Sequence, residues 1–429
     1  MALTVEQEQT LISTNAGTPM GDLFRRYWIP TLLAEELPKP DCPPVRVRLL
    51  GEDLIAFRDT QDRLGLIEAA CPHRGVSLFF ARNEECGLRC SYHGWKFDVE
   101  GRCVDMPSEP EESNFKDKVR ISAYTLVRKG DVLWAYLGPA DARPAEPEIE
   151  WATLPRESVF VTKRLQRTNY LQALEGGIDS SHVSFTHKFS LDDDPLHRGS
   201  AGNVYLKKDG RPRFEVAESD GGLLIGARRK ADDDQYYWRI TQFLMPWYTI
   251  IPPFGENLIG AHAWVPIDDE TCWAWSINYH PLRALSDEEL DDMRAGGGIH
   301  CVYKPGTYEP VADASNDYLI DRAAQREKKS FSGVAGIAMQ DASLQESMGR
   351  IQNRATERLG TSDSGIIMAR QRLLRAARAL AADAVTPPGL DPHTQRVRSA
   401  SLLLAKDVPF QDGAAEALRL CPNTGFASL

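Results

Sequence analysis

Two short motifs in the first quarter of the chain place cysteine and histidine at spacings suited to metal binding. The first, CPHRG, contains Cys71 and His73, and the second, CSYHGW, contains Cys90 and His93. Alternate residues of an extended loop point the same way, and a tight turn brings the two ligands of a CxxH pair together. Each motif therefore supplies half of a metal site, with one thiolate and one imidazole.

The order of the ligands bears on which metal centre the motifs would hold. Two cysteines and two histidines satisfy a tetrahedral zinc ion, but zinc motifs usually pair cysteine with cysteine and histidine with histidine. Mixed pairs suit a Rieske 2Fe-2S cluster, in which two thiolates bind one iron and two imidazoles bind the other. Gly75 and Gly94 follow the histidines, and Trp95 is placed to shield a cluster. We therefore favour the Rieske cluster, and we expect Cys86 and Cys103 to be packing residues.

A Rieske cluster transfers electrons and needs an acceptor, and residues 169–187 contain candidates for one. On a helix, one stripe of this segment carries an amide, two carboxylates and an imidazole, namely Gln172, Glu175, Asp179 and His182. A solvated charged face is the ordinary explanation for such a stripe. However, the helix has another, apolar face, and Gly176 and Gly177 each cost about 1 kcal/mol relative to alanine in a helix. This cost indicates that another group approaches the backbone closely here.

Two histidines at the end of that segment are candidate iron ligands. His187 follows His182 by five residues, which on an unbroken helix would turn the two side chains about 140° apart. For both to bind one ion, the helix must end or bulge across residues 183–186. With a carboxylate from elsewhere, the pair would form the facial triad of non-haem Fe(II) oxygenases. The spacing alone leaves open whether the pair binds a metal.

Composition limits the classes of protein to which the chain can belong. The 429 residues carry 50 Lys and Arg against 61 Asp and Glu, a net charge of -11, without a block rich in basic residues. This charge disfavours nucleic-acid binding. No stretch of about 18 apolar residues predicts a membrane span, and residues 1–30 lack a signal-peptide core. With eight cysteines in a chain of this length, we expect a cytoplasmic protein without a disulfide framework.

The hydrophobic pattern divides the chain into segments that must position these motifs. Residues 1–26 predict a helical lead, and short alternating strands from Val45 to about Pro139 predict a small all-β domain. After a proline-rich linker come a helical block, long alternating strands and a helix-rich region, at 168–183, 203–281 and 315–382. The predicted domains are therefore 1–26, 27–140, 141–385 and a C-terminal tail at 386–429 that could serve as a docking arm.

Four segments together resemble one protein family. They are GTPMGDLFRRYWIP at 17–30, the CPHRG and CSYHGW pair, residues 169–187, and QDASLQESMGRI at 340–351. In this order the chain resembles the large subunit of Rieske non-haem iron aromatic-ring oxygenases, most closely the group that contains phthalate dioxygenase. The resemblance implies an α+β fold with an N-terminal all-β Rieske domain. The catalytic domain that follows would have a large antiparallel sheet flanked by helices, in a helix-grip-like arrangement.

The same resemblance implies the ligands of the second metal site. It makes His182 and His187 ligands of a mononuclear iron and adds Asp341 as the carboxylate. The residues alone could not separate Asp341 from Glu346 or Asp363. An aspartate at the start of a segment with one apolar helical face is compatible with an inward-pointing acid.

Two further residues and an assembly follow from the resemblance. Asp179 would bridge a cluster histidine of the neighbouring subunit to an iron-ligand histidine, and so carry electrons between them. Asn169 matches a position near the iron. In this family each cluster lies close to the iron of the next subunit, so the resemblance implies a homotrimer or stacked trimers.

The implied function is that of the oxygenase component of a multicomponent system, with a Rieske 2Fe-2S cluster and Fe(II). It would use O2 and electrons from NAD(P)H to dihydroxylate a carboxylated aromatic substrate that resembles phthalate or benzoate. The chain has no GxGxxG motif for a nicotinamide or flavin, so we expect a separate reductase, with or without a ferredoxin. Oxidative O-demethylation of a lignin-derived methoxylated aromatic acid is the alternative. A Rieske electron carrier without oxygenase activity is a third hypothesis, against which residues 169–187 argue.

Arginines on two predicted strands are candidates to bind a substrate carboxylate. The alternating segment YYWRITQFLMPWYTII places Arg239 on one face with Tyr237 and Thr241, and LLIGARRKA offers Arg228 or Arg229. A guanidinium group binds a carboxylate through two parallel hydrogen bonds. We name Arg229 and Arg239 as candidates, with a surface ion pair to a nearby acid as the alternative for each.

Overall fold

The computed structural model divides the chain into two compact units. It describes residues 3–110, 112–189, 194, 196, 199–232, 234–421 and 424–429. One unit is Phe24–Pro144, and the other combines the N-terminal segment up to Leu23 with Ala145–Leu429. Directly after His187 the sequence has an Asp-rich segment at 190–200, for which we predict a lid. This segment lies largely outside the described residues.

The smaller unit is built from short antiparallel strands. These are β1 (Ile29–Leu33), β2 (Val45–Leu49), β3 (Glu52–Arg58), β4 (Leu64–Glu68), β5 (Arg82–Glu84), β6 (Gly87–Arg89), β7 (Lys96–Phe97), β8 (Cys103–Asp105), β9 (Ala123–Lys129) and β10 (Val132–Tyr136). They form one sheet in the order β1-β10-β9-β4-β3-β2 and a second in the order β5-β6-β7-β8. In β2, Val47 and Leu49 are buried while Arg46 and Arg48 are exposed, as the alternation predicts.

Both cysteine motifs lie in loops of this unit. The CPHRG loop follows β4, and the CSYHGW loop joins β6 to β7. Cys71 and Cys90 belong to one buried apolar cluster with Trp95 and Cys103. Cys103 is therefore a packing residue, whereas Cys86 is half-exposed in the turn between β5 and β6.

The larger unit is organised around a sheet that has eight strands among the described residues. They are β11 (Val159–Gln166), β12 (Arg213–Glu218), β13 (Gly222–Lys230), β14 (Gln235–Leu244), β15 (Tyr248–Ile250), β16 (Ile259–Pro266), β17 (Cys272–Tyr279) and β18 (Ala400–Ala405). The order is β11-β17-β16-β15-β14-β13-β12, all neighbours are antiparallel, and β18 also pairs with β14. Its central strands are buried along most of their length, which makes this sheet the core of the unit.

Helices pack around the large sheet. The described helices are α1 (Val5–Ile12), α2 (Pro19–Phe24), α3 (Glu150–Thr153), α4 (Tyr170–Ile178), α5 (Asn203–Lys208), α6 (Asp287–Arg294), α7 (Arg322–Arg326), α8 (Ile337–Ser347), α9 (Ser364–Asp383) and α10 (Phe410–Gly413). None of these is long and apolar enough to span a membrane. The predicted fold class, an N-terminal all-β domain followed by a large antiparallel sheet with flanking helices, is confirmed.

Helix α4 is shorter than the block predicted at 168–183. It ends at Ile178 because Asp179 caps it, and the Asp179 carboxylate then accepts hydrogen bonds from the backbone N–H groups of Ser181 (2.6 Å) and His182 (3.3 Å). These bonds stabilise a turn in place of another helical turn. The chain continues as a 3-10 turn at His182–Ser184. The helix therefore ends before both histidines, and not across residues 183–186 as expected from their spacing.

The N-terminal lead and the C-terminal tail belong to the larger unit, although the sequence suggested separate segments. The Tyr170 hydroxyl donates to the Leu11 carbonyl (2.8 Å), which ties α1 to α4. In the tail, β18 pairs with β14 over six residue pairs, from Gln235↔Ala405 to Ile240↔Ala400. The tail therefore adds a strand to the large sheet of the same chain. The docking-arm interpretation is corrected for β18, because this strand pairs with β14 within the chain.

Candidate active site

The two cysteine motifs adopt the same backbone conformation. In each loop the cysteine N–H donates to the carbonyl five residues on, and the glycine N–H donates back to the cysteine carbonyl. The bonds are Cys71 to Val76 (2.8 Å), Gly75 to Cys71 (2.8 Å), Cys90 to Trp95 (2.8 Å) and Gly94 to Cys90 (2.9 Å). The φ angles of Gly75 and Gly94 are 75° and 79°, a region that side chains disfavour. The glycines thus allow two equal turns that present two equal half-sites.

The four candidate cluster ligands converge between these loops. The rings of His73 and His93 lie 4.4 Å apart between centroids, and the Trp95 indole stacks on His73 at 4.5 Å. Cys71 and Cys90 are buried, and burial raises the pKa of the Cys71 thiol to about 11. A buried thiolate needs a cation to stabilise it, and the ferric ions of a 2Fe-2S cluster meet that need. Two buried thiols and two more exposed imidazoles are a donor set that fits a Rieske cluster.

A second ligand group forms in the larger unit, where the end of α4 meets the start of α8. The Nε2 atoms of His182 and His187 are 3.2 Å apart, and Oδ1 of Asp341 lies 3.5 Å from the first and 3.2 Å from the second. Among the described residues this is the group of three acidic or metal-binding side chains close enough to hold one ion. Two imidazoles and one carboxylate are the donor set of the facial triad, which suits Fe(II).

The neighbours of the two histidines orient their rings differently. Nδ1 of His187 lies 2.7 Å from Oε1 of Gln340, which leaves Nε2 for a metal. Nδ1 of His182 lies 3.6 Å from the Asp179 carboxylate, too far for a hydrogen bond. His187 therefore has a neutral amide as its partner, whereas His182 faces a carboxylate. Gln340 was not singled out by sequence analysis, although it directly precedes Asp341.

Electrostatics link the three candidate iron ligands. Burial opposes protonation of His182, but Asp341 and Asp179 outweigh it and raise the His182 pKa to about 9. Burial disfavours the charged form of Asp341, but His187 and His182 hold its pKa down at about 2. Without a metal, the protonated His182 imidazole thus lies beside the ionised Asp341 carboxylate. A bound divalent cation would take the place of that proton.

A cavity opens beside the triad. It is lined by the three candidate ligands, by polar groups from α4, α8 and the sheet, and by an apolar wall. The lining residues are Arg164, Gly176, Gly177, Asp179, Ser180, His182, Val183, His187, Arg239, Thr241, Ile251, Pro252, Phe254, His262, Trp264, Ile299, Ile337, Ala338, Asp341 and Gln345. A mostly apolar cavity with a few buried polar groups next to a metal site is typical of a pocket for a small organic substrate.

The structure separates the two arginines named from the sequence. Arg239 lines the cavity, and its guanidinium carbon lies 3.8 Å from the centroid of the Phe254 ring. Arg229 is buried but does not line the cavity, and its Nη2 donates to the backbone carbonyl of Ser180 (3.0 Å). Arg229 therefore supports the loop after α4, while Arg239 is in a position to contact a ligand.

Asn169 is corrected: its side chain is not placed to approach the iron. It is the N-cap of α4, where Oδ1 accepts from the Leu171 N–H (3.0 Å) and Nδ2 donates to the carbonyls of Ile12 (3.1 Å) and Asp269 (2.7 Å). Asp179 caps the other end of this nine-residue helix, ten residues on and about 15 Å away at 1.5 Å per residue. Capping explains the asparagine without any metal.

The two glycines of α4 are explained by close packing. A Cβ atom on Gly177 would lie 1.8 Å from Cη2 of Trp264, and one on Gly176 would lie 2.2 Å from Nε2 of Gln345. The close approach expected from the sequence is therefore made by these two side chains, from β16 and α8. Sequence analysis missed both, because each comes from a distant segment of the chain.

The stripe on α4 is mainly structural. Glu175 is buried and accepts a hydrogen bond from Nε of Arg370 (2.7 Å). Gln172 donates to the backbone carbonyl of Gly349 (2.9 Å) and accepts from the Gln352 N–H (2.8 Å). These bonds hold α4 against α9 and the segment after α8, so the part of the stripe near the iron site is Asp179 and His182.

Comparison with known proteins decides the family. A model of the Rieske [2Fe-2S] domain matches residues 27–124, and a model of the LigXa C-terminal domain like family matches residues 135–416. The chain is 39% identical to the 3-chlorobenzoate-3,4-dioxygenase oxygenase subunit of Comamonas testosteroni, over 96% of this chain and 97% of that protein. The chain belongs to the Rieske non-haem iron oxygenases. The family predicted from the motifs is confirmed.

Other members of the family are similar over most of the chain. The phthalate 4,5-dioxygenase oxygenase subunit of Pseudomonas putida is 36% identical, over 96% of this chain and 94% of its own. The 5,5'-dehydrodivanillate O-demethylase oxygenase subunit of a Sphingobium species is 31% identical, over 87% and 80%. The crystal structure of dicamba monooxygenase bound to 3,6 dichlorosalicylic acid has the same fold, with a TM-score of 0.59 and 16% identity over 83% of this chain and 98% of that one.

Membership of the family establishes the class of the enzyme. This Rieske oxygenase is the oxygenase component of a multicomponent system, and its cofactors are a 2Fe-2S cluster and a mononuclear non-haem iron. In such systems the electrons come from a partner reductase. The predicted enzyme class and cofactors are confirmed.

Proposed function

We propose that this oxygenase acts on an aromatic carboxylate. Cys71, His73, Cys90 and His93 would hold the Rieske cluster, and His182, His187 and Asp341 would hold Fe(II). When bound, the two metal centres supply electron storage and activation of O2 next to the substrate. The chain's own residues would bind and orient the ring in the cavity beside the triad and exclude water from it.

The observation that carries this proposal is the buried guanidinium of Arg239. It is 2% exposed, its Nη2 donates to the Pro252 carbonyl (2.8 Å), and its Nη1 has no hydrogen-bond partner among the described residues. Burial lowers the pKa of Arg239, and the nearby Tyr237 opposes this effect only in part, so the desolvation of this cation is not fully offset within the protein. A carboxylate bound here would offset it, and the Phe254 ring that stacks on the guanidinium also lines the cavity.

Dihydroxylation is the reaction that we place first. The relatives with 39% and 36% identity are named dioxygenases of 3-chlorobenzoate and phthalate, both aromatic carboxylates. Oxidative O-demethylation of a methoxylated aromatic acid is the second candidate, supported by the similarity to the dehydrodivanillate O-demethylase subunit. An electron carrier without oxygenase activity would have no use for a triad beside a cavity, so we set it aside.

Assembly into a ring would connect the two metal centres. We place the cluster of one subunit next to the iron of another, with Asp179 between a cluster histidine and His182. The Asp179 side chain is 22% exposed at the end of α4, which leaves part of its carboxylate available to a neighbour. A head-to-tail interface repeated by a three-fold axis gives a closed trimer, and two trimers could stack.

The remaining partners follow from the reaction. Electrons would come from NAD(P)H through a separate reductase, either directly or through a ferredoxin. Because Arg229 supports the Ser180 backbone, we assign it a role in holding the loop after α4 and leave the substrate carboxylate to Arg239. We place the enzyme in the cytoplasm, where the reduced cofactor is available.

Turnover with a panel of substrates tests the proposal. The assembled enzyme, loaded with both metals, is incubated with a surrogate reductase, NADH, O2 and a set of benzoates, phthalates and methoxybenzoates, and the products are identified by mass. A gain of two oxygen and two hydrogen atoms indicates dihydroxylation, and loss of CH2 with release of formaldehyde indicates O-demethylation.

Matched variants show whether the assigned ligands are correct. His182→Ala and Asp341→Ala should each lose mononuclear iron and product formation, while the visible spectrum of the cluster stays unchanged. If Asp341→Ala keeps its iron and its turnover, the carboxylate ligand is misassigned. If Arg239→Met binds benzoate as well as the wild type does, the carboxylate part of the proposal is wrong.

A further inference from the structure

The cavity has a second set of polar side chains, on strands that lie nearer the β11 edge of the sheet than Arg239 on β14. Arg164 on β11, Ser276 on β17 and His262 on β16 come from three adjacent strands. Nη1 of Arg164 donates to the Ser276 hydroxyl (3.2 Å), which lies 3.5 Å from Nδ1 of His262. Arg164 and His262 both line the cavity, and their shared neighbour Ser276 places the two side chains close to each other.

The imidazole of His262 presents a hydrogen-bond acceptor. Its Nδ1 lies 3.0 Å from the backbone carbonyl of Trp275, and because a carbonyl only accepts, Nδ1 carries the proton. Both polar contacts of the ring involve Nδ1, so Nε2 has none among the described residues. Burial, together with the positive charge of Arg164, lowers the pKa of His262 to about 4. The ring is therefore neutral at pH 7, with a lone pair on Nε2.

The guanidinium of Arg164 presents a donor next to that acceptor. The side chain is 4% exposed, and its hydrogen bonds go to uncharged groups, the Ser276 hydroxyl and Oε1 of Gln166 (3.3 Å). A guanidinium has five N–H donors, so these two bonds leave others for a ligand.

The chemistry of the ligand group follows from this pairing. A hydroxyl both accepts from a guanidinium and donates to an imidazole lone pair. An ionised carboxylate has no hydrogen to donate, so its oxygen would be repelled by the lone pair on Nε2 of His262. A methoxy oxygen likewise has no hydrogen to donate to that lone pair. Among common ring substituents, the hydroxyl satisfies both side chains.

We propose that Arg164 and His262 form a specificity subsite for a hydroxyl substituent on the aromatic ring of the substrate. The inference rests on the proposed function, since it assumes that an aromatic acid occupies the cavity with its carboxylate on Arg239. It narrows the substrate class to hydroxylated aromatic acids. His262 and Arg164 select the ligand and need not take part in the chemical step.

Binding to the resting holoenzyme tests the subsite without turnover. Calorimetry in the absence of reductant compares benzoate with the three hydroxybenzoates, the three methoxybenzoates and the three benzene dicarboxylates. We expect at least one hydroxybenzoate to bind about tenfold more tightly than benzoate and than the matching methoxybenzoate. If no hydroxybenzoate binds more tightly than benzoate, the proposal is overturned. It is also overturned if a dicarboxylate binds most tightly, which would indicate that Arg164 binds a second carboxylate.

Variants assign the preference to particular side chains. His262→Phe should reduce the tenfold preference for the hydroxyl to within about twofold, because it keeps a ring but removes Nε2. Ile299→Val, a cavity residue without polar atoms, serves as the control and should keep the preference. If the preference survives in a folded His262→Phe protein, His262 is not the acceptor. If that variant does not fold, the wild-type panel still decides between hydroxyl, methoxy and carboxylate.

A further comparison separates this inference from the proposed function. Arg239→Met should weaken all aromatic acids to a similar extent and leave the ratio between hydroxybenzoate and benzoate unchanged. If benzyl alcohol binds the wild type as well as benzoate does, the carboxylate part of the proposed function fails. The subsite is then tested by comparing the affinities of phenol and anisole. Phenol should bind about tenfold more tightly, and equal affinities would overturn the inference.

Discussion

The Nδ1 atom of His187 donates a hydrogen bond to Oε1 of Gln340 at 2.7 Å. The amide is oriented with its oxygen towards the histidine because its Nε2 donates to the Val334 carbonyl at 3.0 Å. Gln340 precedes Asp341 on α8, so one turn of helix supplies both a proposed iron ligand and the partner that orients another. The tautomer of His187 and the direction of its Nε2 are thereby determined together.

Gln340→Leu should weaken iron binding. The leucine keeps a similar volume but cannot accept the proton of His187 Nδ1, so the ring loses its preferred tautomer and orientation. Loss of such a partner commonly costs 10- to 100-fold in metal affinity, and we expect a decrease of about that size for Fe(II), measured by competition with a chelator. The control Leu344→Ala changes an exposed position of the same helix. Equal iron affinity in Gln340→Leu and the control would contradict the role.

Asp179→Asn should slow electron transfer while keeping both metals. The asparagine keeps the shape of the side chain but removes the negative charge between His182 and the proposed neighbouring cluster. Mixing the reduced holoenzyme with substrate and O2 in a stopped-flow instrument should show cluster oxidation slowed by about 100-fold or more.

The control for this prediction is Asp291→Asn, the same change on the surface of α6. If Asp179→Asn stays assembled, binds both metals and oxidises its cluster at the wild-type rate, electrons do not pass through Asp179.

The ion-pair network behind α4 should make stability depend on acid pH. Arg370 donates to Glu175 (2.7 Å) and to both oxygens of Glu357 (2.7 and 2.8 Å). Burial raises the pKa of Glu357, but Arg370 outweighs it and lowers the pKa below the ordinary 4.5. A carboxyl with a lowered folded-state pKa stabilises the fold above its unfolded-state pKa and loses that contribution as the pH falls.

Glu357→Gln should therefore be destabilised most at neutral pH. We expect a loss of about 1 to 3 kcal/mol there, since hydrogen bonds to charged groups are removed while Arg370 keeps Glu175. The difference in melting temperature from the wild type should shrink as the pH falls below about 4. Calorimetric melting from pH 3 to pH 8 measures it, and a difference that does not depend on pH would contradict the assignment.

Gly177→Ala should displace the Trp264 indole from the wall of the cavity. The added methyl group would lie 1.8 Å from Cη2 of Trp264, so the side chain or the helix must move. We expect a loss of about 1 to 3 kcal/mol in stability and weaker binding of benzoate by calorimetry. Gly425→Ala is the control because no atom of the residues that the structure describes lies within 4 Å of a Cβ there. A variant with wild-type stability and affinity would show that the contact is relaxed at no cost.

The sequence by itself determined the features that depend on neighbours in the chain. Ligands two or three residues apart, as in Cys71 and His73 or Cys90 and His93, are brought together by one tight turn, so their spacing predicts their geometry. Alternation likewise placed Arg239 on the same face of a strand as Thr241, and both residues line the cavity. The family followed from the combination and order of such local motifs.

Predictions failed where one residue type serves two purposes. Asn169 was expected near the iron, but an asparagine at the start of a helix also caps it, and here Oδ1 caps the helix while Nδ2 donates to the carbonyls of Ile12 and Asp269. The block at 168–183 was predicted as one helix because its pattern continues past Ile178. The capping bonds of Asp179 end the helix earlier, since local side-chain bonds compete with the next helical turn.

Only the tertiary structure decided which distant residues share the site. The family resemblance named Asp341, but the residues alone could not separate it from Glu346 or Asp363. It joins His182 and His187 because α8 packs beside the end of α4, and neither helix contains a pattern that specifies the other. Arg164 and His262 meet because β11, β17 and β16 are adjacent in the sheet. Strand order and helix packing are set by the burial of apolar surface over the whole unit. This hydrophobic free energy depends on the total area buried and not on direction, so a local motif does not predict which segments meet.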